Sequence, residues 1–333
     1  MEGMYHSYDG GGVQVTGPAI FAYKSLFGGL AANAEYYVDA ISAASVDVVT
    51  SASPYDETRT EVSLGLDWLY RDSVVSVGYT GSEENDYEAD TYSLGVSQEV
   101  FNGMSTINMG YSHGDDVVTR VDNDFEDSVD RDNYALGLNQ VLTPTLVASL
   151  DYEAVLEDGF LANPYRSARI LGAQIPERYP RTRTSHAASL TAVKAWDVKT
   201  ALRARYRYFT DTWDIQAHDL EFGFSRYITD QWIADLSYRY YTQDAASFYS
   251  DDFDQEYNYM ARDKELSTFN SHSFGGRLSW IFKNRLPVGL HQAGFTFSYE
   301  YLMFSYDDFT DIRTGDQYEF NSQVFQLYFS ARY

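Results

Sequence analysis

Apolar and polar residues alternate with period two from one end of this chain to the other, which limits its folds more than any other feature. In residues 59–70, RTEVSLGLDWLY, the apolar set Val62, Leu64, Leu66, Trp68 and Tyr70 alternates with Ser63, Gly65 and Asp67. One face of such a strand is apolar and the other is small or polar. The pattern returns at Leu94 and Val96, at Ile107, Met109 and Tyr111, and at Leu220, Phe222 and Phe224, and it closes on Phe325, Leu327, Phe329, Ala331 and Tyr333. No segment approaches the ~18 consecutive apolar residues of a spanning helix. A strand that shows lipid only every second residue escapes that test.

Short links such as 27–29, 71–73, 102–104, 143–145, 196–198 and 229–231 alternate with long acidic or irregular segments. This rhythm fits short periplasmic turns and long surface loops. Fifteen strands are clear between residues 13 and 333, and the segment MEGMYHSYD supplies a sixteenth, restoring an even number with both termini on the periplasmic side. The expected fold is therefore all-β: one domain over 1–333, a transmembrane antiparallel up-and-down β-barrel of about sixteen strands. An open sheet cannot stand in hydrocarbon, because each unpaired backbone group costs several kcal/mol there.

Composition supports this reading. Thirty Tyr and 20 Phe exceed what a soluble core needs and suit interfacial girdles, with Trp68, Tyr70, Tyr208, Tyr240, Trp280 and Tyr301 near strand ends. Absence of cysteine excludes disulfides, thiolate metal sites and covalent haem attachment. The formal charge of -25 argues against nucleic acid as a partner. The first residues carry neither a basic nor an apolar leader region, so an exported chain is expected to be numbered after signal cleavage. Acidic residues crowd 82–90, 114–132, 250–265 and 306–316, which are expected to be solvated surface loops. Within DNDFED, the alternate carboxylates Asp122, Asp124 and Glu126 form a candidate cation-binding run, although Asp127 stands where an EF-hand loop needs glycine.

The same alternation selects an inner wall: Glu35, Asp39, Asp151, Glu153, Arg203, Arg205, Arg207, Asp219, Glu221, Asp235, Arg239, Arg277 and Glu300. Hairpin geometry around 210–216 places Arg207 opposite Asp219 and Arg205 opposite Glu221, and a network Arg205, Glu221, Arg239 is expected. Such a lattice either stiffens the wall or forms a selectivity constriction with basic and acidic sides.

Four segments, NPYRSARILGAQIPERYPRTRTSH (163–186), YRYFTDTWDIQAHDLEFGFSR (206–226), YRYYTQDAASFYS (238–250) and YYVDAISAASVDVV (36–49), carry a resemblance to a bacterial family of outer-membrane proteins catalogued as a domain of unknown function. The resemblance runs over most of the chain and implies a porin-like barrel. Through neighbouring genes it also implies a small lipoprotein or an envelope redox partner, whose haem or flavin would be the partner's own. This chain departs from the family at AASVDVVTSASPYDE, where a shorter Gly-Ala-Ser-Pro turn is expected. Its ending resembles the C-terminal signal by which outer-membrane proteins reach the barrel-assembly machinery, with Phe329 and Tyr333 carrying it.

No phosphate loop, zinc helix or nucleophile elbow is present. His272 lies between Ser271 and Ser273, but sequence neighbours on a strand point to opposite faces, so neither serine pairs with it for catalysis. The expected function is a non-enzymatic polar pore in the bacterial outer membrane for small solutes or ions, without a cofactor, in contact with outer-membrane lipid and lipopolysaccharide. The alternative is a barrel that binds or sheathes a lipoprotein or cytochrome. A basic stretch, Arg166, Arg169, Arg178, Arg181 and Arg183, could fold inward, meet the acidic loops or contact lipopolysaccharide phosphate.

Overall fold

The computed structural model describes residues 1–43, 55–282 and 290–332. In chain order the strands are β1 (Glu2–Gly10), β2 (Val13–Ser25), β3 (Leu30–Ala43), β4 (Tyr55–Tyr70), β5 (Ser73–Glu83) and β6 (Tyr87–Val100). Next come β7 (Ser105–Thr119), β8 (Glu126–Thr143), β9 (Leu146–Gly159), β10 (Ser167–Ile170), β11 (Ala173–Pro176) and β12 (Thr182–Asp197). The chain continues through β13 (Thr200–Asp211), β14 (Gln216–Tyr227) and β15 (Trp232–Gln243), a 3-10 turn at Lys264–Leu266, β16 (Phe269–Phe282), β17 (Gln292–Thr310) and β18 (Gln317–Arg332).

Among the described residues, all strands but β10 and β11 close into one antiparallel barrel of sixteen, in which each pairs with its chain neighbours and β1 pairs with β18. Closure satisfies the backbone that an open sheet edge would leave bare. The β10–β11 hairpin stands apart. Both termini lie at one end, where the amino group of Met1 donates to the carbonyl of Ala331 at 3.0 Å. Links at that end are brief (26–29, 71–72, 101–104, 144–145, 198–199 and 228–231), and it is called the turn end below. The link 283–291 is longer and lies mostly outside the described residues. At the other end, the loop end, stand the segments 160–181 and 244–268.

The expected alternation of short and long links is only partly realised, because several strands run on into the acidic segments. β7 and β8 extend through Asp115, Asp116, Val117 and Val118 opposite Asp130, Val129, Ser128 and Asp127, leaving only 120–125 as a loop. Valines at 117, 118 and 129 favour extended backbone. Water satisfies the outward carboxylates, so the wall can continue beyond an apolar band. The segment AASVDVVTSASPYDE falls mostly outside the described residues.

Pairing partners share a face. Leu202 faces Phe224, Phe224 faces Leu236, Leu278 faces Phe297, and Phe297 faces Leu327, so the outer face is apolar around this arc. These side chains are exposed except for the half-buried Phe224, Leu236 by 61% and Leu327 by 45%, as suits a surface that meets lipid. The buried apolar clusters lie at the loop end instead.

Candidate functional site

Strand β13 organises the inner wall. Arg203, Arg205 and Arg207 alternate with the outward Leu202, Ala204 and Tyr206 and stand opposite Gly223, Glu221 and Asp219. From there the inward rows run to Ser237, Arg239 and Tyr241 on β15. Arg277 faces Asp235, and Glu300 faces Gly275. Asp151 and Glu153 hold the same face on β9, as do Glu35 and Asp39 on β3.

Contacts between these side chains depart from the register. Asp219, only 3% exposed, is the hub: Arg205 donates to it at 3.2 Å, and Arg239 approaches it more closely still. Arg205 also meets Glu221 at 3.0 Å, and Arg203 reaches Glu221 at 3.4 Å. The expected centre at Glu221 is thus displaced to Asp219. Arg207, expected on Asp219, instead lies 3.7 Å from Glu153 of β9. Two arginines already occupy Asp219, and the intervening β12 offers only Ala187 and Ser189 on this face, so the long side chain passes over them. Ser225 holds Asp235. Arg277 is exposed and has no ion pair among the described residues.

A second lattice lies nearer the loop end. Arg131 bridges Asp116 and Glu157, each at 3.0 Å, while Tyr87 donates to Asp116 and Arg183 meets Asp211 at 2.6 Å. On the far side, His6 Nε2 lies 2.7 Å from Asp39, and the Tyr37 hydroxyl lies 3.1 Å from the same nitrogen. His6 and Asp39 are each 7% exposed, and Nδ1 of His6 has no hydrogen-bond partner among the described residues. Gly17 stands between them in the sheet, opposite His6, and its bare Cα lets β3 approach so closely that a Cβ would fall 1.6 Å from the Val38 carbonyl. This pairing was not legible from sequence, since β1 and β3 are not neighbours.

Between these charged sectors the wall is smooth. Ser76, Gly78 and Thr80 face Gly95, Ser93 and Thr91, and these face Gly110, Ser112 and Gly114. Small side chains fill little of the interior there, and the charged ones stay in reach of water: the side chains of Arg203, Arg239 and Glu153 are 47%, 42% and 42% exposed.

At the loop end the two long segments pack as one cap. Ile170 pairs with Phe253 and Arg178 with Met260. Ala168 and Met260 are fully buried beside Phe253, and a second cluster joins Trp213, Ile215, Phe248, Ala261 and Leu266. The basic stretch meets acidic loops: Arg166 pairs with Asp263, Arg178 with Glu256 at 2.7 Å and Arg181 with Asp127 at 2.7 Å. Arg262 ties the cap to the β17–β18 end, pairing with Asp251 at 2.7 Å and donating to the Thr310 carbonyl at 2.7 Å. Burial pushes the phenols of Tyr179 and Tyr249 in this cap upward.

The DNDFED run is not gathered into a cage. Asp122 is taken by Arg120, at 2.8 and 2.6 Å, which holds its carboxyl below the usual range; Asp124 is exposed in the loop and Glu126 opens β8. Among the described residues, carboxylates converge within ligand reach at Glu57, Glu84 and Asp86, a group that sequence spacing could not indicate because β4 and the 84–86 link bring it together. Phe329 faces outward, 40% exposed, and Tyr333 lies outside the described residues.

No curated protein matches the chain in sequence. Among solved structures, a bacterial polysaccharide outer-membrane secretin superposes with a TM-score of 0.54 at 12% identity, over 100% of this chain and 98% of that one. The siderophore receptor PirA of Acinetobacter baumannii gives 0.49 at 9% identity; it covers 96% of this chain, which spans only 56% of the receptor. The outer-membrane protein opdK of Pseudomonas aeruginosa gives 0.46 at 6% identity over 99% and 97%. At such identities the likeness concerns fold, that of an outer-membrane barrel. The model of one family, described as protein of unknown function (DUF3570), matches residues 15–300, and the chain belongs to that family.

Proposed function

We propose that this chain resides in the bacterial outer membrane, with its loop end outside the cell, and that its barrel conducts small solutes or ions through a polar lumen narrowed by the cap. The observation that carries this reading is the water access of the charged inner wall, where the Arg203 side chain is 47% exposed and Asp151, Ser237 and Arg277 are exposed too. A barrel filled by its own side chains would bury these groups. The paired arginines and carboxylates stabilise the wall and give the lumen a mixed potential, with Arg277 as the group freest to steer ions. No step of bond chemistry enters this reading. Barrel-assembly machinery would be met during biogenesis, through the outward aromatics of the last strand.

Single-channel recording of the purified protein in a planar bilayer tests the proposal: discrete conductance steps are expected, and a silent, folded protein would defeat it. The cap favours a second reading. It is a packed unit on which Leu171, Tyr257 and Tyr259 are 79%, 43% and 50% exposed, an arrangement suited to gripping a protein partner such as a lipoprotein or cytochrome. Without conductance, co-purification of such a partner from crosslinked envelopes would support that reading.

A further inference from the structure

One arrangement on the outer face repeats three times. The phenol of Tyr152 on β9 lies 2.8 Å from Nδ1 of His186 on β12, that of Tyr206 on β13 lies 2.7 Å from Nδ1 of His218 on β14, and that of Tyr238 on β15 lies 2.9 Å from Nδ1 of His272 on β16. Each pair is stacked, with interplanar angles of 18°, 24° and 29°. A second tyrosine, Tyr208 or Tyr240, leans on His218 and His272.

The three histidines stand at one height. Following the register from His186 leads through Thr210 to Gln216, two positions before His218; from His218 it leads through Thr242 to Asn270, two positions before His272. That drift of about one residue per strand is the stagger of strands tilted by ~35–45°. On β14 the outward residues below His218 are Leu220, Phe222 and Phe224, ending at Arg226, which gives an apolar band about 20 Å tall at ~3.3 Å per residue and this tilt. Above it stands Gln216. The Tyr–His row therefore marks the upper border of the lipid-facing band, at the level of headgroups.

A phenol O–H is a far stronger acid than a neutral imidazole N–H, so the tyrosine donates to Nδ1. This places the imidazole proton on Nε2. Nε2 of all three histidines has no hydrogen-bond partner among the described residues. His186 and His218 are exposed and His272 is half-buried. The result is a row of fixed N–H donors with no acceptor among the described residues. His113 differs: its Nδ1 meets Asp132 at 3.0 Å, and Asp115 and Asp130 flank it on the outer face, so that sector repels anions.

We propose that His186, His218 and His272 hydrogen-bond the phosphates of outer-leaflet lipid headgroups and so order an annulus of phosphorylated lipid along the β12–β16 arc. The proposal rests on the outer-membrane placement above but not on conduction. The test is native mass spectrometry of detergent-purified protein titrated with bisphosphorylated lipid A, or with the same lipid stripped of both phosphates. The wild type is expected to retain the phosphorylated lipid preferentially, and His186→Phe/His218→Phe/His272→Phe, which keeps the aromatic girdle, is expected to lose about fivefold in retention per histidine removed. Equal retention of the two lipids by the wild type, or an unchanged preference in the folded triple variant, would overturn it. If the triple variant does not fold, the wild-type comparison decides alone. Cell fractionation tests the outer-membrane placement separately.

Discussion

Arg207 passes over β12 to reach Glu153, 3.7 Å away on β9, although the register sets it opposite Asp219. His6 reaches Asp39 across Gly17 in the same manner. In both cases a small residue on the middle strand lets long or polar side chains two strands apart meet, so each bridge clamps three strands.

Asp219 carries two arginines and is nearly inaccessible, so removing its charge leaves both guanidinium groups underpaired. Asp219→Asn is expected to destabilise the refolded barrel by about 2–3 kcal/mol, below the ~3–5 kcal/mol of a fully buried pair because the arginines still reach water. Asp151→Asn, at an exposed carboxylate that accepts from Ser189 at 3.5 Å, should stay within about 0.5 kcal/mol. Guanidinium unfolding in detergent measures both.

Selectivity should follow the same distinction. Arg277→Ala removes a positive charge that has no ion pair among the described residues and is expected to shift reversal potentials toward cations at unchanged stability. Arg205→Ala should give a shift of the same sign while also lowering stability, since Asp219 and Glu221 both lose a partner. Unchanged reversal potentials in both would assign these residues to structure alone.

Gly17 admits no side chain. Gly17→Ala places a carbon against the Val38 carbonyl and is expected to cost about 1–3 kcal/mol or more and to lower refolding yield, whereas Gly3→Ala, with its nearest atom 4.0 Å away, should be silent. Heat-modifiable mobility on gels separates the two outcomes.

The cap should loosen as a unit. Met260→Ala empties a fully buried position and is expected to weaken cap packing by about 2–4 kcal/mol. Limited proteolysis should then cut 160–181 and 244–268 together while the barrel's circular dichroism is retained. Cleavage of only one segment would show that they do not depend on each other.

Acid should act on the cap's rim. Arg181 holds the Asp127 carboxyl below its usual range, as Arg120 does for Asp122 and Arg313 for Asp311. A depressed carboxyl contributes stability that is fully present above the unfolded value near ~3.9 and is lost as pH falls through the folded value. Hydrogen exchange in 120–127 and 311–316 is therefore expected to be insensitive to this linkage between about pH 5 and 8 and to accelerate, beyond the intrinsic chemistry, below about pH 4.

Strand number and the β13–β14 register were legible because lipid imposes a strict apolar alternation on the wall: Leu202, Ala204 and Tyr206 on one strand and Leu220, Phe222 and Phe224 on the next leave one arrangement of Arg205 and Glu221. What lay outside that rule was hidden. The extension of β7 and β8 past Asp115 and Asp130 occurs where water accepts either face, so alternation carries no signal. The choice of Glu153 by Arg207 depends on side-chain reach across a third strand. The cap depends on Ala168 meeting Met260 and Phe253, a contact between distant loops with no periodicity to announce it.

The seam between β1 and β18 has a kinetic consequence. It joins Glu2 to Ser330 and Gly10 to Ser322, so its formation closes nearly the whole described chain into one loop. Every other backbone pairing in the wall joins strands that follow one another around it and can zip locally, but this one must wait for all of them and carries the largest closure entropy. Until it forms, the intermediate is a curled sheet with two live edges, each able to add a foreign strand. The slow step of folding, and the moment of greatest aggregation risk, therefore belong to a single short strand pair.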